Sequence, residues 1–283
     1  MRRKQLRGLL VQGERTTFRR HVGTALVTGA SSGIGKELAR LFAADGHAVV
    51  LVARRLPRLE ELANELIASG AKACAIACDL AAPDGVGALV QDLARRGLEI
   101  DFLVNNAGVG TTGRFADSDP AKEVAMAELN VTAVISLTRA LVTGMLARRH
   151  GRILNIGSTA GFQPGPYMAT YYASKAFVNH FSEALAYELR GTGVTLTLSC
   201  PGPTETEFGD ISGVAKSRLF RLQVASAESV AKAAYGALFR GRVLVVHGFV
   251  NRLGVALVRL GPRAWVRAVL ALLNRPPALG GKP

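Results

Sequence analysis

The stretch TGASSGIG at positions 28–35 constrains the fold of this chain more tightly than any other. A short apolar run at 24–28 (TALVT) leads straight into it and an amphipathic stretch at 34–44 follows, so the order is strand, turn, helix. Gly29, Gly33 and Gly35 stand where side chains would block a close approach. The backbone amides of such a turn, together with the helix dipole, suit a pyrophosphate. Ser31, Ser32 and Ile34 complete the turn. The spacing is not GxGxxG, and it is not a P-loop either, because Lys36 is followed by Glu37 where a magnesium-binding Ser or Thr would stand. A dinucleotide is the expected ligand, and nucleoside triphosphate chemistry is disfavoured.

The same alternation recurs along the chain. Strands are expected at 48–53, 72–78, 102–104, 152–156, 194–199 and 243–246, separated by helical stretches at 56–68, 86–95, 121–148, 170–190 and 227–240. Strands that are apolar on both faces and joined through helices indicate a parallel sheet covered on both sides, since parallel pairing needs right-handed crossovers. The expected fold class is α/β: a single-domain, Rossmann-type, doubly wound seven-stranded parallel sheet, with ligands at the carboxyl ends of its strands. At 283 residues such a domain can bury roughly three quarters of its unfolded surface. The scatter of 31 Gly and 11 Pro excludes collagen-like and coiled-coil readings.

Net charge is +14, but it is unevenly placed. Residues 1–21 carry +6 and the chain after Glu228, which has no acidic residue, carries +9, leaving −1 between them. A near-neutral body at 22–248 thus stands between a basic leader at 1–21 and a basic extension at 249–283. No uninterrupted apolar run reaches the 18 or so residues of a spanning helix, and the leader lacks the apolar centre of a secretory signal, so a cytoplasmic location is expected. Three cysteines fit a reducing compartment, and Cys74 and Cys78 lie about 13 Å apart on one strand, too far for a disulfide. The five His are dispersed, and no metal site is expected.

Two further patterns bear on chemistry. Where an NAD-specific site would place an acidic residue at the end of the second strand, this chain has Ala53, then Arg54 and Arg55, and a guanidinium suits a 2′-phosphate. The alternative is that both arginines merely open the next helix. Tyr171 and Lys175 are four apart in YYASK and emerge from one helix face. A nearby ammonium favours the phenolate and lowers a tyrosine pKa toward the range useful in acid–base catalysis. Neither Tyr167 nor Tyr172 has a lysine at that spacing.

TGASSGIG at 28–35, NNAG at 105–108, Asn130, Ser158 thirteen residues before Tyr171, YxxxK at 171–175 and PG at 201–202 occur in the order of the classical short-chain dehydrogenases/reductases, a family the chain resembles over about 22–247. The runs GFQPGPYMATYYASKAF and CPGPTETEF look most like its bacterial DltE-like branch. The resemblance implies that Tyr171 exchanges a proton with the substrate carbonyl oxygen and that Ser158 hydrogen-bonds that oxygen. It implies that Lys175 holds the nicotinamide ribose and lowers the tyrosine pKa, and that Asn130 keeps a water linking the lysine to solvent. It further implies cofactor contacts at Asp79, Leu80, Asn105, Ala107, Gly108, Pro201, Gly202, Thr204 and Thr206, with NADP preferred and NAD admissible. Cys200, beside that last loop, reads as a small buried residue, because no activating partner is evident.

The substrate pocket is expected from 160–169, the segment after Asn106, and 208–224, where Phe162, Pro164, Pro166, Met168 and Phe208 favour a lipophilic carbonyl or alcohol. In the extension, Arg252, Arg259, Arg263 and Arg267 fall within about 80° on a helical wheel opposite a leucine- and valine-rich side, interrupted by Gly261 and Pro262. Two short helices there would pack on the body or a second subunit, or lie on an anionic membrane surface. Nucleic-acid binding is not expected, since no aromatic and basic reading surface is present. The family resemblance implies a homodimer or tetramer. The rival reading is a non-catalytic dinucleotide-binding protein tethered by its basic ends.

Overall fold

Short, continuously apolar runs flanked by amphipathic helices dictate the architecture. The computed structural model describes residues 22–213 and 224–275. The basic leader, positions 214–223 of the expected pocket segment, and 276–283 of the extension lie outside the described residues. In chain order the elements are β1 (Thr24–Thr28), α1 (Gly33–Ala44), β2 (Ala48–Ala53), α2 (Leu56–Ala68), β3 (Ala73–Ala77), α3 (Gly85–Arg95), β4 (Phe102–Asn105), α4 (Pro120–Ala127), α5 (Ala133–Ala147) and β5 (Gly151–Ile156). They continue as α6 (Ala169–Glu188), β6 (Val194–Cys200), β7 (Thr204–Glu205), α7 (Glu207–Ser212), β8 (Ala225–Ser226), α8 (Ala227–Phe239), β9 (Leu244–Val246), α9 (Phe249–Leu260) and α10 (Arg263–Asn274).

Seven strands form one sheet in the order β3-β2-β1-β4-β5-β6-β9, every pair parallel. The order reverses between β1 and β4, and that is where an open sheet of this kind offers its ligand crevice. Alternate residues of each strand feed two cores. Ala25, Val27, Val49, Leu51 and Val104 pack with Phe42 of α1 and Leu238 of α8, while Leu26, Val50, Val52 and Leu103 pack with Leu137 and Met145 of α5.

Two departures from the sequence expectation have local causes. The helix expected at 121–148 contains a π-bulge at Glu128–Thr132 that turns the side chain of Asn130 inward. The short parallel pair β7–β8, two residues per strand, carries too little periodicity to be read from sequence. The extension forms two separate helices, as expected from Gly261 and Pro262, because Pro262 has no N–H to continue the first; a single helical wheel therefore does not relate the arginines of one helix to those of the other. The continuous helical run Pro120–Ala147 is long and apolar enough by composition to cross a membrane, although 39% of its most apolar window is buried in the protein.

Candidate active site

The glycine turn at the end of β1 is shaped by steric necessity. Gly29 and Gly33 have φ of +65° and +55°, in the left-handed region that disfavours a Cβ. A Cβ on Gly35 would lie 2.5 Å from the Gly29 carbonyl oxygen, and one on Gly33 would lie 2.8 Å from Thr206 Cγ2. The turn is held from the neighbouring strand. Thr28 Oγ1 donates to the Val104 carbonyl (3.0 Å) and accepts from the amides of Asn106 and Ala107 (both 3.0 Å). Asn106 Nδ2 donates back to the Thr28 carbonyl at 2.9 Å. This leaves a cradle of bare backbone opening on the N-terminus of α1, which fits a dinucleotide pyrophosphate.

The two arginines after β2 differ in their surroundings. Arg55 donates to Ser31 Oγ (2.9 Å) and Ser32 Oγ (3.3 Å) and pairs with Glu207 of α7 at 2.8 Å. Arg58 also pairs with Glu207, and the two guanidinium groups hold that carboxyl down at about 2. Arg54 is exposed at the rim of the same cleft. Asp79 lies farther along, its Oδ1 accepting from Ala81 N at 3.0 Å.

At the centre of the carboxyl edge, α6 presents Tyr171 and Lys175 from adjacent turns toward Ser158, which follows β5. Lys175 is 6% exposed, and its Nζ donates to the Ile156 carbonyl at 2.9 Å. Burial holds its ammonium down at about 8. The Tyr171 phenol is pushed up to about 12 by burial, and a hydrogen bond with Ser158 partly offsets the rise. The expectation that Lys175 lowers the tyrosine pKa is not met in this arrangement: desolvation outweighs every other influence, and the ammonium is turned to a backbone carbonyl. Ser158 also caps the short 3₁₀ turn that follows, accepting from Ala160 N at 3.1 Å.

A buried network fixes these side chains. Asn130 Oδ1 accepts from Val109 N (3.0 Å), and its Nδ2 donates to Val109 O (2.9 Å) and Ser174 Oγ (3.0 Å). A Cβ on Gly108 would stand 3.2 Å from Asn130 Oδ1 and 3.6 Å from Lys175 Nζ, so both groups lie against the bare face of Gly108. Asn179, one turn beyond Lys175, donates to the Ser158 carbonyl at 3.0 Å.

One cleft of about 960 Å³ is lined by Gly29, Ser31, Ser32, Gly33, Ile34, Arg54, Arg55, Asp79, Leu80, Ala107, Gly108, Ser158, Tyr171, Lys175, Pro201, Gly202, Thr204 and Thr206. Of the residues expected to form the substrate pocket, Met168 and Phe208 line it but Phe162, Pro164 and Pro166 do not, Phe162 packing instead against Val178, Leu198 and Cys200. Three of the catalytic and cofactor residues singled out from sequence do not line it either. Gly35 and Asn130 lie behind the wall, and Asn105 is under the sheet, where its Nδ2 donates to Asn155 Oδ1 at 2.8 Å and Thr138 Oγ1 at 3.0 Å. Sequence reasoning missed Asn106, Asn179 and Glu207. Asn179 left one usable signal, its four-residue spacing from Lys175 on the same helix. It also missed how far the extension reaches: Val266, Leu270 and Leu273 of α10 pack with Tyr171, Tyr172, Met168 and Phe208. Asn274, fully buried, shares a hydrogen bond with the Tyr172 hydroxyl and donates to Pro166 O at 3.3 Å.

A pyrophosphate cradle beside a buried Ser, Tyr and Lys, at the switch point of a doubly wound sheet, defines a dinucleotide-binding oxidoreductase class. The short chain dehydrogenase family model matches residues 23–213, and the chain belongs to that family. A sulfoacetaldehyde reductase of Chromohalobacter salexigens is 38% identical over 248 residues, covering 84% of this chain and 94% of that protein. A short chain dehydrogenase of Pseudocercospora fijiensis is 38% identical over 188 residues, 66% of this chain; the match spans only 61% of that relative's length. Among solved structures, a short-chain dehydrogenase from Sphingobium yanoikuyae in complex with NADPH is 33% identical, with a TM-score of 0.75, covering 87% of this chain and 97% of its own.

Proposed function

We propose that this protein is an NADPH-dependent oxidoreductase that interconverts a lipophilic ketone or aldehyde with its alcohol. The observation that carries the reading is the single cleft that joins Arg54 and the glycine cradle at one end to Ser158, Tyr171 and a largely apolar wall at the other. The nicotinamide, when bound, supplies or accepts the hydride. Gly29, Gly33 and the α1 N-terminus hold its pyrophosphate, Asp79 its adenine, and Lys175 its ribose hydroxyls. Ser158 donates to the substrate carbonyl oxygen and aligns it with Tyr171. With its phenol held at about 12, Tyr171 keeps its proton at neutral pH, the state required to protonate that oxygen as an alcohol forms. Lys175 then passes in the replacement proton, through a water that Asn130 would hold between the lysine and solvent.

Arg54 is the candidate 2′-phosphate partner, because Arg55 is already committed to Ser31, Ser32 and Glu207. Within the family, the runs at 161–177 and 200–208 support placement in the DltE-like branch. Assembly into a dimer or tetramer through α4, α5 and α6 is supported by exposed Val124, Ile135, Leu146 and Tyr187 on those helices. The wall near Tyr171 carries Met168, Phe208, Leu270 and Leu273 and suits a lipophilic substrate better than a small sulfonate.

Titration of the full chain with NADPH and NADH, read by nicotinamide fluorescence, tests the cofactor half. NADPH is expected to bind at least tenfold more tightly, and Arg54→Ala is expected to erase roughly ten- to a hundredfold of that preference. Equal affinities in both proteins would sink the Arg54 assignment. Binding of neither nucleotide would remove the cofactor reading, and tight binding with no carbonyl reduction would move the non-catalytic dinucleotide-binding reading to the front.

A further inference from the structure

We propose that the α9–α10 pair is a docking surface for an anionic lipid bilayer, set so that the mouth of the substrate cavity opens against the membrane. Eight of the eighteen exposed large apolar side chains among the described residues fall on these two 12-residue helices. Helix α9 has no buried residue, and α10 has two, Leu270 and Asn274. An amphipathic pair normally turns its apolar face inward, so this one leaves most of its apolar face without a protein partner among the described residues. The exposures are large: Leu260 85%, Trp265 74%, Phe249 73% and Leu272 62%.

Charge selects the occupant. Arg252, Arg259, Arg263, Arg267 and Arg275 are all exposed on or beside the pair, and no acidic residue follows Glu228 in the chain. A second copy of this face would bring like charges together, which opposes self-association. A bilayer rich in anionic lipid offers both what the arginines and what the leucines require: headgroup charge at the surface and hydrocarbon just beneath. A single Trp at such a boundary is also placed where its ring, apolar with one N–H, is favoured.

The position of the cavity gives the surface a use. Val250, Leu257, Trp265 and Val269 are exposed and also line the cleft that contains Tyr171, so the rim through which a substrate enters belongs to the docking face. Seated on lipid, the cleft would receive a lipophilic carbonyl compound from the bilayer without passage through water. That last clause rests on the cavity being the substrate site, as proposed above. The docking itself does not.

Trp265 is the only tryptophan of the chain, so its emission reports this face alone. With the full-length protein, emission is expected at long wavelength in buffer and to shift to shorter wavelength with phosphatidylcholine vesicles containing phosphatidylglycerol, with little change for phosphatidylcholine alone. Each arginine near a charged surface contributes roughly a factor of five, so Arg263→Gln with Arg267→Gln should weaken partitioning by about 25-fold. Leu260→Asp with Leu272→Asp, neither of which lines the cleft, should abolish the shift. NADPH titration of each variant, run in parallel, verifies that the site is folded and stands apart from the lipid readout. No shift on anionic vesicles in protein that binds NADPH overturns the proposal. So does short-wavelength emission in buffer that depends on protein concentration, which would assign the face to a second copy, and so does sedimentation with vesicles while Trp265 emission stays fixed, which would assign binding to the basic leader. A normal Trp265 shift in protein that fails to bind NADPH leaves the docking surface standing and removes the cofactor reading instead.

Discussion

The floor and the roof of the cleft are built by opposite means. The floor rests on strands whose inward residues, such as Leu26, Leu51 and Leu103, are fully buried, and its reactive groups hang from α6 and the ends of β1 and β5. The roof is two short helices with two buried residues between them, tied down by Leu270 and by the Asn274 amide. A reacting group must be held to within a fraction of an ångström, and only a close-packed core does that. A roof that admits and releases substrate belongs to the low-stability end of the molecule.

The same substitution in the two regions should separate them. Leu51→Ala empties a fully buried site between the sheet and the α1–α8 layer and is expected to cost about 3–5 kcal/mol in denaturant unfolding. Leu270→Ala, in a roof residue 6% exposed, should leave the global midpoint nearly unchanged and increase hydrogen exchange in α9 and α10 alone. Equal losses of global stability would mean that roof and floor unfold as one unit.

Next in size is a pH effect at the junction of the two regions. His247, beside the start of α9, is buried, accepts from or donates to Ser199 Oγ at 2.7 Å, and burial holds its imidazole down at about 4. Because the unfolded chain takes up that proton near 6.5, this contribution is complete above about 6.5 and is lost as pH falls toward 4, about 3 kcal/mol in all. His247→Gln should flatten this acid limb in urea titrations at successive pH values, and an unchanged limb would refute the assignment. The smallest effect belongs to Asn274→Ala, which frees the Tyr172 hydroxyl and the Pro166 carbonyl. It should raise KM for a bulky ketone severalfold while leaving NADPH affinity unaltered. A fall in NADPH affinity of the same size would show that the anchor supports the floor as well.

What was legible in the sequence was local in the chain. The seven strands followed from apolar runs, the cradle from three glycines between a strand and a helix, and the Tyr171–Lys175 pair from a four-residue spacing. What was not legible was set by partners far away in sequence. The division between Arg54 and Arg55 depends on Glu207, which arrives on α7, and the roof's anchor joins Tyr172 to a residue 102 positions later. The Lys175 ammonium could be placed near Tyr171 by spacing, but its orientation to the Ile156 carbonyl and the desolvation of both groups are properties of the packed core. The π-bulge at Asn130 escaped for a related reason, since it is specified by its hydrogen bonds to Val109 and Ser174 rather than by helix propensity.

The most direct test of the central claim is carbonyl reduction by the wild-type chain and by Tyr171→Phe, followed as NADPH consumption with a hydrophobic aryl ketone. The account predicts a loss of roughly 10²–10⁴-fold in kcat for the variant, with NADPH affinity and thermal midpoint retained. Turnover at the wild-type rate by a folded, NADPH-binding Tyr171→Phe protein would contradict it.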